Sequence, residues 1–352
     1  MDVLESQELE SLLIAIDESV QSELSGLSLR SLFENLLHGT QEWSLTELLS
    51  QLIQIVLQST QQQFDLIGQM ILLAIIFSLV TQMETSFSNG SVQKVTGLMM
   101  QSVAMVLLLK GGADLLWYGQ DAVMRLAHLM QALLPVQLIL MAGLGNIQTA
   151  GLLQPSLLLM VQLAVCFFES ILVPWVTMEF LLKMVNGFSD TYNLQRLAVF
   201  LRKFILWGIT FTTMLFLAIL SIQGISGHVL DRLSLRTLKY VTGAAIPVVG
   251  GTLSGVLELL LSGAGLIRNA VGFVGLLAIL LLTMVPAVKL LAICFLYTFT
   301  AAVLQPIGDS KISNLLEQAA DTYKLLFSII ALTGVFFFVM ILILLAASGM
   351  VL

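Results

Sequence analysis

Ionisable residues inside apolar runs are the first candidates for chemistry in this sequence. Glu169 lies within Phe167-Phe-Glu-Ser170, and Glu258 lies within Val256-Leu-Glu-Leu-Leu260. A charge buried in hydrocarbon costs about 2.5–3.5 kcal/mol on insertion scales, so such residues need a reason to be there. Two interpretations stay open for Glu169 and Glu258. They line a polar pathway, or they hydrogen-bond between helices and fix the packing.

Other charges in apolar surroundings are spaced for local pairing. Lys110 and Asp114 stand four residues apart, as do Glu179 and Lys183. This spacing brings both side chains to one face of a helix, so we expect an ion pair at each place. Lys289 is expected near a membrane interface that its long side chain can reach.

Signatures of catalysis and metal binding are missing from the sequence. It has no glycine-rich loop ending in Gly-Lys-Ser/Thr, no His-Glu-x-x-His and no Gly-x-Ser-x-Gly. Its three histidines are scattered, and Cys166 and Cys294 stand in apolar runs as small hydrophobic residues. We therefore expect no catalytic residue, no metal, no cofactor and no enzymatic activity.

The elements that must position these residues are membrane helices. The mean hydropathy is +0.97, 58% of residues are hydrophobic and only 11% are charged. A span needs about 20 mostly apolar residues. We predict spans near 66–83, 97–117, 152–173, 174–185, 204–224, 267–285, 287–304 and 325–349. The pair at 152–185 can also be one long kinked helix.

Proline and glycine interrupt two further apolar stretches, 129–145 and 243–265. Backbone that is unwound at membrane depth survives only where protein or water satisfies its polar groups. We therefore predict two broken, re-entrant or discontinuous segments that shape a conduit or pack against other subunits. The residues that define them are Pro135, Pro247, Gly250, Gly251 and Gly255. The stretches before them, 121–131 and 231–242, are amphipathic and fit either an interfacial helix or a solvated loop helix.

The proline spacing raises the question of an internal duplication. Pro135 and Pro247 lie 112 residues apart, and so do Pro174 and Pro286, each pair with a matching valine. A duplication over about 85–196 and 197–308 and a chance coincidence are both compatible with this spacing. A real duplication would resemble transporters whose substrate site lies at the interface of two repeats.

Residues 1–65 form a separate acidic head before the membrane domain 66–352. The head has eleven acids and one base, whereas the remainder has a net charge of +3. Its leucines recur at helical spacing, which predicts amphipathic helices that pack on a partner or on the membrane surface. Clustered basic residues are absent, so nucleic acid is not an expected partner. The first 25 residues lack a basic and apolar leader, so the head is cytosolic or a signal was removed.

Several short motifs carry a family resemblance. They are Arg202-Lys203 before Trp207, Ser221-Ile-Gln-Gly224, Arg236-Thr-Leu-Lys239, Ile246-Pro-Val-Val-Gly250 with Leu253-Ser254, Asn269-Ala-Val-Gly272 with Gly275, and Gln305-Pro-Ile-Gly-Asp309. With these motifs the chain resembles the stage III sporulation protein AE family of endospore-forming bacteria. The resemblance is strong over residues 190–310 and brings no catalytic motif.

The resemblance implies an integral protein of the mother-cell membrane around the forespore. It implies membership in a secretion-like apparatus that forms a channel between the two cells and sustains late forespore development. The implied partners are other stage III sporulation envelope proteins. Membrane lipid and further copies of the chain are also expected partners. The low Lys and Arg content of the head favours an extracytoplasmic N-terminus.

Together these observations predict an all-α polytopic membrane protein with about 7–8 transmembrane helices and a small N-terminal helical head. The predicted function is a non-enzymatic membrane component of the sporulation channel complex. The alternative is an autonomous secondary transporter of a small solute or ion, with its site at the broken helices.

Overall fold

Long helices account for the regular structure of the described residues. The computed structural model describes residues 63–76, 78–80, 90–143, 147–188, 194–223, 250–306 and 310–347, together with Ile14 and Ser50. The helices are α1 (Gln63–Val80), α2 (Gly90–Gly143), α3 (Ile147–Phe167), α4 (Val173–Phe188), α5 (Gln195–Gln223), α6 (Gly250–Leu304) and α7 (Ser310–Ala347). A π-helical segment, Phe168–Leu172, joins α3 to α4 without a break.

The all-α membrane class is confirmed, and six helices in the described ranges are long and apolar enough to cross a membrane. This number is below the predicted 7–8 because neighbouring predicted spans merge: 152–173 joins 174–185, and 267–285 joins 287–304 in α6. The further apolar stretch that begins at residue 129 continues α2 as far as Gly143. The alternative of one long helix over 152–185 is confirmed, with the π-helical segment in its middle.

The backbone break predicted at Pro135 is absent, because α2 continues through this proline to Gly143. A proline inside a helix removes one backbone hydrogen bond, and packing against neighbouring helices can offset this loss. The amphipathic stretch 121–131 likewise lies in the middle of α2, not in a separate interfacial helix or a loop helix. Pro286 is inside α6 in the same way.

Other predictions fall partly outside the described residues. Pro247 and the stretch 231–242 lie there, and so does nearly all of the head. From Gly250 onward the second predicted broken segment is helical and continuous with the rest of α6. The duplication stays a prediction.

Helix α7 lies at the centre of the bundle, against α6, α2 and α4. Contacts along the helices give their directions. A Cβ atom on Gly119 of α2 would meet Leu326, and one on Gly334 of α7 would meet Thr283 of α6. Gly275 of α6 faces Leu133 of α2. Helices α2 and α7 are therefore parallel, and α6 runs antiparallel to both.

Candidate functional site

A carboxylate without solvent exposure marks the polar centre of the bundle. Glu179 of α4 has no exposed side-chain surface and pairs with Lys183 one helical turn later, at 2.5 Å between Oε1 and Nζ. Thr322 of α7 donates a hydrogen bond to Glu179 Oε2 at 2.7 Å. Lys183 Nζ also lies 3.5 Å from Thr322 Oγ1. The predicted Glu179–Lys183 pair is confirmed, and Thr322 extends it to a second helix.

A second group of charges adjoins this cluster and joins α5 to α7. Arg202 Nη1 donates to Asp321 Oδ2 at 3.2 Å, and Lys324 Nζ donates to Asp321 Oδ1 at 3.0 Å. The side chains of Arg202 and Asp321 are 31% and 37% exposed. Half-exposed pairs of this kind contribute little to stability, so this group positions α5 more than it holds the fold together.

Buried tyrosines border the cluster on the side of α6. The Tyr297 hydroxyl donates to Gln63 Oε1 at 2.9 Å, which ties α6 to α1. The rings of Tyr297 and Tyr323 meet edge to face at 5.3 Å between centroids, and the ring of Phe180 lies 6.2 Å from that of Tyr323. Polar and aromatic side chains from α1, α4, α6 and α7 therefore converge at one level of the bundle.

Two adjacent glycines of α2 allow this convergence. A Cβ atom on Gly111 would meet Leu66 and lie 3.5 Å from the Tyr297 hydroxyl. A Cβ atom on Gly112 would enter the ring of Phe180. The absence of side chains here lets α1, α6 and α4 approach α2 closely, as small residues do in membrane helices.

The chemistry open to this arrangement is limited by how fully its charges are paired. The Glu179 carboxylate is held by an ammonium group and a hydroxyl group. Among the described residues, no three His, Cys, Asp or Glu side chains come together as metal ligands would. The cluster is therefore suited to fixing helix positions.

The residues predicted to line a conduit or to fix the packing do not gather at this cluster. Glu169 is half-buried in the π-helical segment, and Pro135 lies on the exposed side of α2. Phe168, next to Glu169, contacts Phe336 of α7, and the nearby Gly334 faces Thr283 of α6. Glu169 therefore lies at about the same depth as residue 282 of α6. Glu258 is about 24 residues before residue 282 on α6, which corresponds to about 36 Å along the helix axis. Gly250, Gly251 and Gly255 occupy the first turns of that helix.

Sequence reasoning missed Thr322, Asp321, Arg202, Tyr297 and Gln63 as parts of a common site. Their contacts connect residues 119 to 234 positions apart in the chain. Of this site, only the Glu179–Lys183 pair was predictable from the sequence, because its two residues are four positions apart.

Comparisons with known proteins agree with one another. The family model for stage III sporulation protein AE matches residues 27–348. Stage III sporulation protein AE of Bacillus subtilis (strain 168) is 25% identical over 334 residues, covering 94% of this chain and 84% of that protein. No solved structure matches. Because the family model matches nearly the whole chain, including the α4–α7 cluster, the chain belongs to the stage III sporulation protein AE family.

Proposed function

We propose that this chain is a non-enzymatic integral membrane subunit of the channel or secretion-like complex that joins mother cell and forespore. It resides in the mother-cell membrane around the forespore, with its N-terminal head outside the cytoplasm, and it supports late forespore development. Its partners in this proposal are membrane lipid and other stage III sporulation envelope proteins. Membership in the family and the six long apolar helices support the proposal.

The observation that favours a subunit over an autonomous transporter is the pairing of charge in the core. A transporter site needs polar groups that face a cavity, whereas Glu179 is occupied by Lys183 and Thr322. Three grooves in the described part of the bundle, of about 340, 390 and 150 Å³, have no charged side chain in their lining, although Gln120 and Thr177 line the first. None of the three offers a solute charged contacts.

Purification from sporulating cells tests the proposal. The chain would be isolated in mild detergent, and the proteins that accompany it would be identified by mass spectrometry. Stoichiometric recovery of other envelope sporulation proteins is the expected result. A clean preparation of this chain alone, under conditions that preserve such assemblies, would contradict the proposal.

The autonomous transporter remains a second candidate because of the π-helical segment around Glu169. Such segments are frequent at functional sites, and this one places a half-buried carboxylate inside a membrane helix. In this function, Glu169→Gln would abolish solute or proton flux in liposomes while leaving the membrane level of the protein unchanged. Parallel losses of flux and abundance would assign Glu169 to packing.

A further inference from the structure

Three helices have charge-free stretches at the same depth of the bundle. These are residues 204–223 of α5, 269–288 of α6 and 325–347 of α7, each long enough to cross the hydrocarbon core. Phe216 stacks on Phe336 at 4.2 Å between ring centroids, and Gly334 faces Thr283, so the three stretches lie side by side. We take this zone as a part of the bundle that lies within the bilayer, because three neighbouring helices are free of charge there.

The adjoining parts of α2 and α3 occupy the same depth. Leu133 faces Gly275, and Phe168 lies 5.9 Å from Phe336 between ring centroids. In contrast to the charge-free stretches of α5, α6 and α7, α2 carries charged residues and further exposed or half-exposed polar residues here. They are Asp121, Arg125, His128 and Gln131, whose spacing puts them on one side of the helix.

Polar contacts continue this surface from α2 to α3. Arg125 Nε donates to Asp121 Oδ2 at 2.8 Å, and Gln131 Nε2 lies 3.5 Å from Gln162 Oε1. The side chains of Arg125 and Asp121 are nevertheless 28% and 47% exposed. Cys166 is also exposed, one helical turn after Gln162. We call Asp121, Arg125, His128, Gln131, Gln162 and Cys166 the polar face.

Contact between the polar face and lipid hydrocarbon is energetically unfavourable. Lipid chains offer no hydrogen bonds, and each charged group exposed to them costs about 2.5–3.5 kcal/mol on insertion scales. A second polar face can satisfy this surface, because the surface has one acid, one base and amide groups that both donate and accept hydrogen bonds. Two identical copies related by a twofold axis can therefore pair opposite charges across their contact.

We propose that the polar face of α2 and α3 is the contact between two copies of this chain within the membrane. The proposal rests on depth, exposure and charge, and it holds whether or not the chain belongs to a sporulation channel. The two polar faces shield one another from lipid, while α5, the least buried of the candidate spans in the described part of the chain, remains on the lipid side.

Disulfide cross-linking of the full chain in membranes tests this contact. The background is Cys166→Ser with Cys294→Ala, into which His128→Cys is introduced. The matched control is Met214→Cys, which lies at nearly the same depth on the apolar side of α5 and is 66% exposed. A second experiment keeps the native Cys166 and replaces only Cys294. The test then does not depend on whether the His128→Cys variant folds.

The expected result is a shift of most of the chain from 38.4 kDa to the dimer position on non-reducing gels, for His128→Cys and for native Cys166. Met214→Cys stays monomeric. Equal cross-linking at all three positions would indicate random collision and overturn the proposal. Lack of cross-linking at both polar positions would also overturn it. Labelling by a membrane-impermeant maleimide would then indicate a face open to water, and protection would indicate cover by another segment of the same chain.

Discussion

Replacement of Lys183 by methionine isolates the energetic role of the buried ion pair. Lys183→Met leaves Glu179, which has no exposed surface, with only the hydroxyl of Thr322 as a partner. Removal of one member of a buried pair costs about 3–5 kcal/mol, because the remaining charge is uncompensated. Since about 1.4 kcal/mol corresponds to a factor of ten, the opened fraction of the protein should rise by roughly 100-fold or more.

Cys294 provides the assay for this opening. It is 5% exposed, and its Sγ lies 3.4 Å from the carbonyl oxygen of Ala320, between α6 and α7. In a Cys166→Ser background, the rate at which a thiol dye modifies Cys294 reports the opened fraction when opening and closing are fast. Lys183→Met should raise this rate by the factor given above.

Two further variants decide whether the buried charge is the cause. Glu179→Gln combined with Lys183→Met removes both charges, and the rate should return most of the way to that of the parent. Lys324→Met removes a lysine that is 51% exposed, and it should change stability by less than about 1 kcal/mol. An unchanged rate for Lys183→Met, or a double variant as open as the single one, would refute the reasoning.

Three shorter predictions concern the surroundings of the cluster. Gly112→Leu should deplete folded protein from membranes, because the leucine side chain would enter the ring of Phe180. The control is Gly97→Leu, where no atom lies within 4 Å of the added Cβ, and equal depletion by both variants would contradict the prediction. Tyr297→Phe should cost about 1–3 kcal/mol in thermal unfolding, because it leaves the buried Gln63 amide oxygen without its donor, and an unchanged midpoint would contradict this. Arg202→Gln should cost less than about 1 kcal/mol in the same assay, since its pair with Asp321 is about one-third exposed, and a loss as large as that of Lys183→Met would count against it.

Local rules account for the parts of the fold that were predictable from the sequence. A run of about 20 apolar residues in a membrane must satisfy its backbone hydrogen bonds internally, so hydropathy alone predicts membrane helices. The Glu179–Lys183 pair is local as well, because both residues lie on one helical turn. The ends of the helices were less predictable. The sequence analysis placed a break at Pro135 and a boundary between two spans at Pro286, yet α2 and α6 continue through these prolines.

Two pairs of opposite charges with the same spacing of four residues show what only the tertiary structure decided. Lys110 and Asp114 have the same spacing as Glu179 and Lys183, yet the former are exposed while Glu179 is completely buried. Spacing fixes which residues share a helix face, whereas packing decides what that face meets. Thr322 becomes the partner of Glu179 across 143 residues of chain because α7 packs against α4. Such a contact depends on how helices pack, and no local pattern in the sequence encodes it.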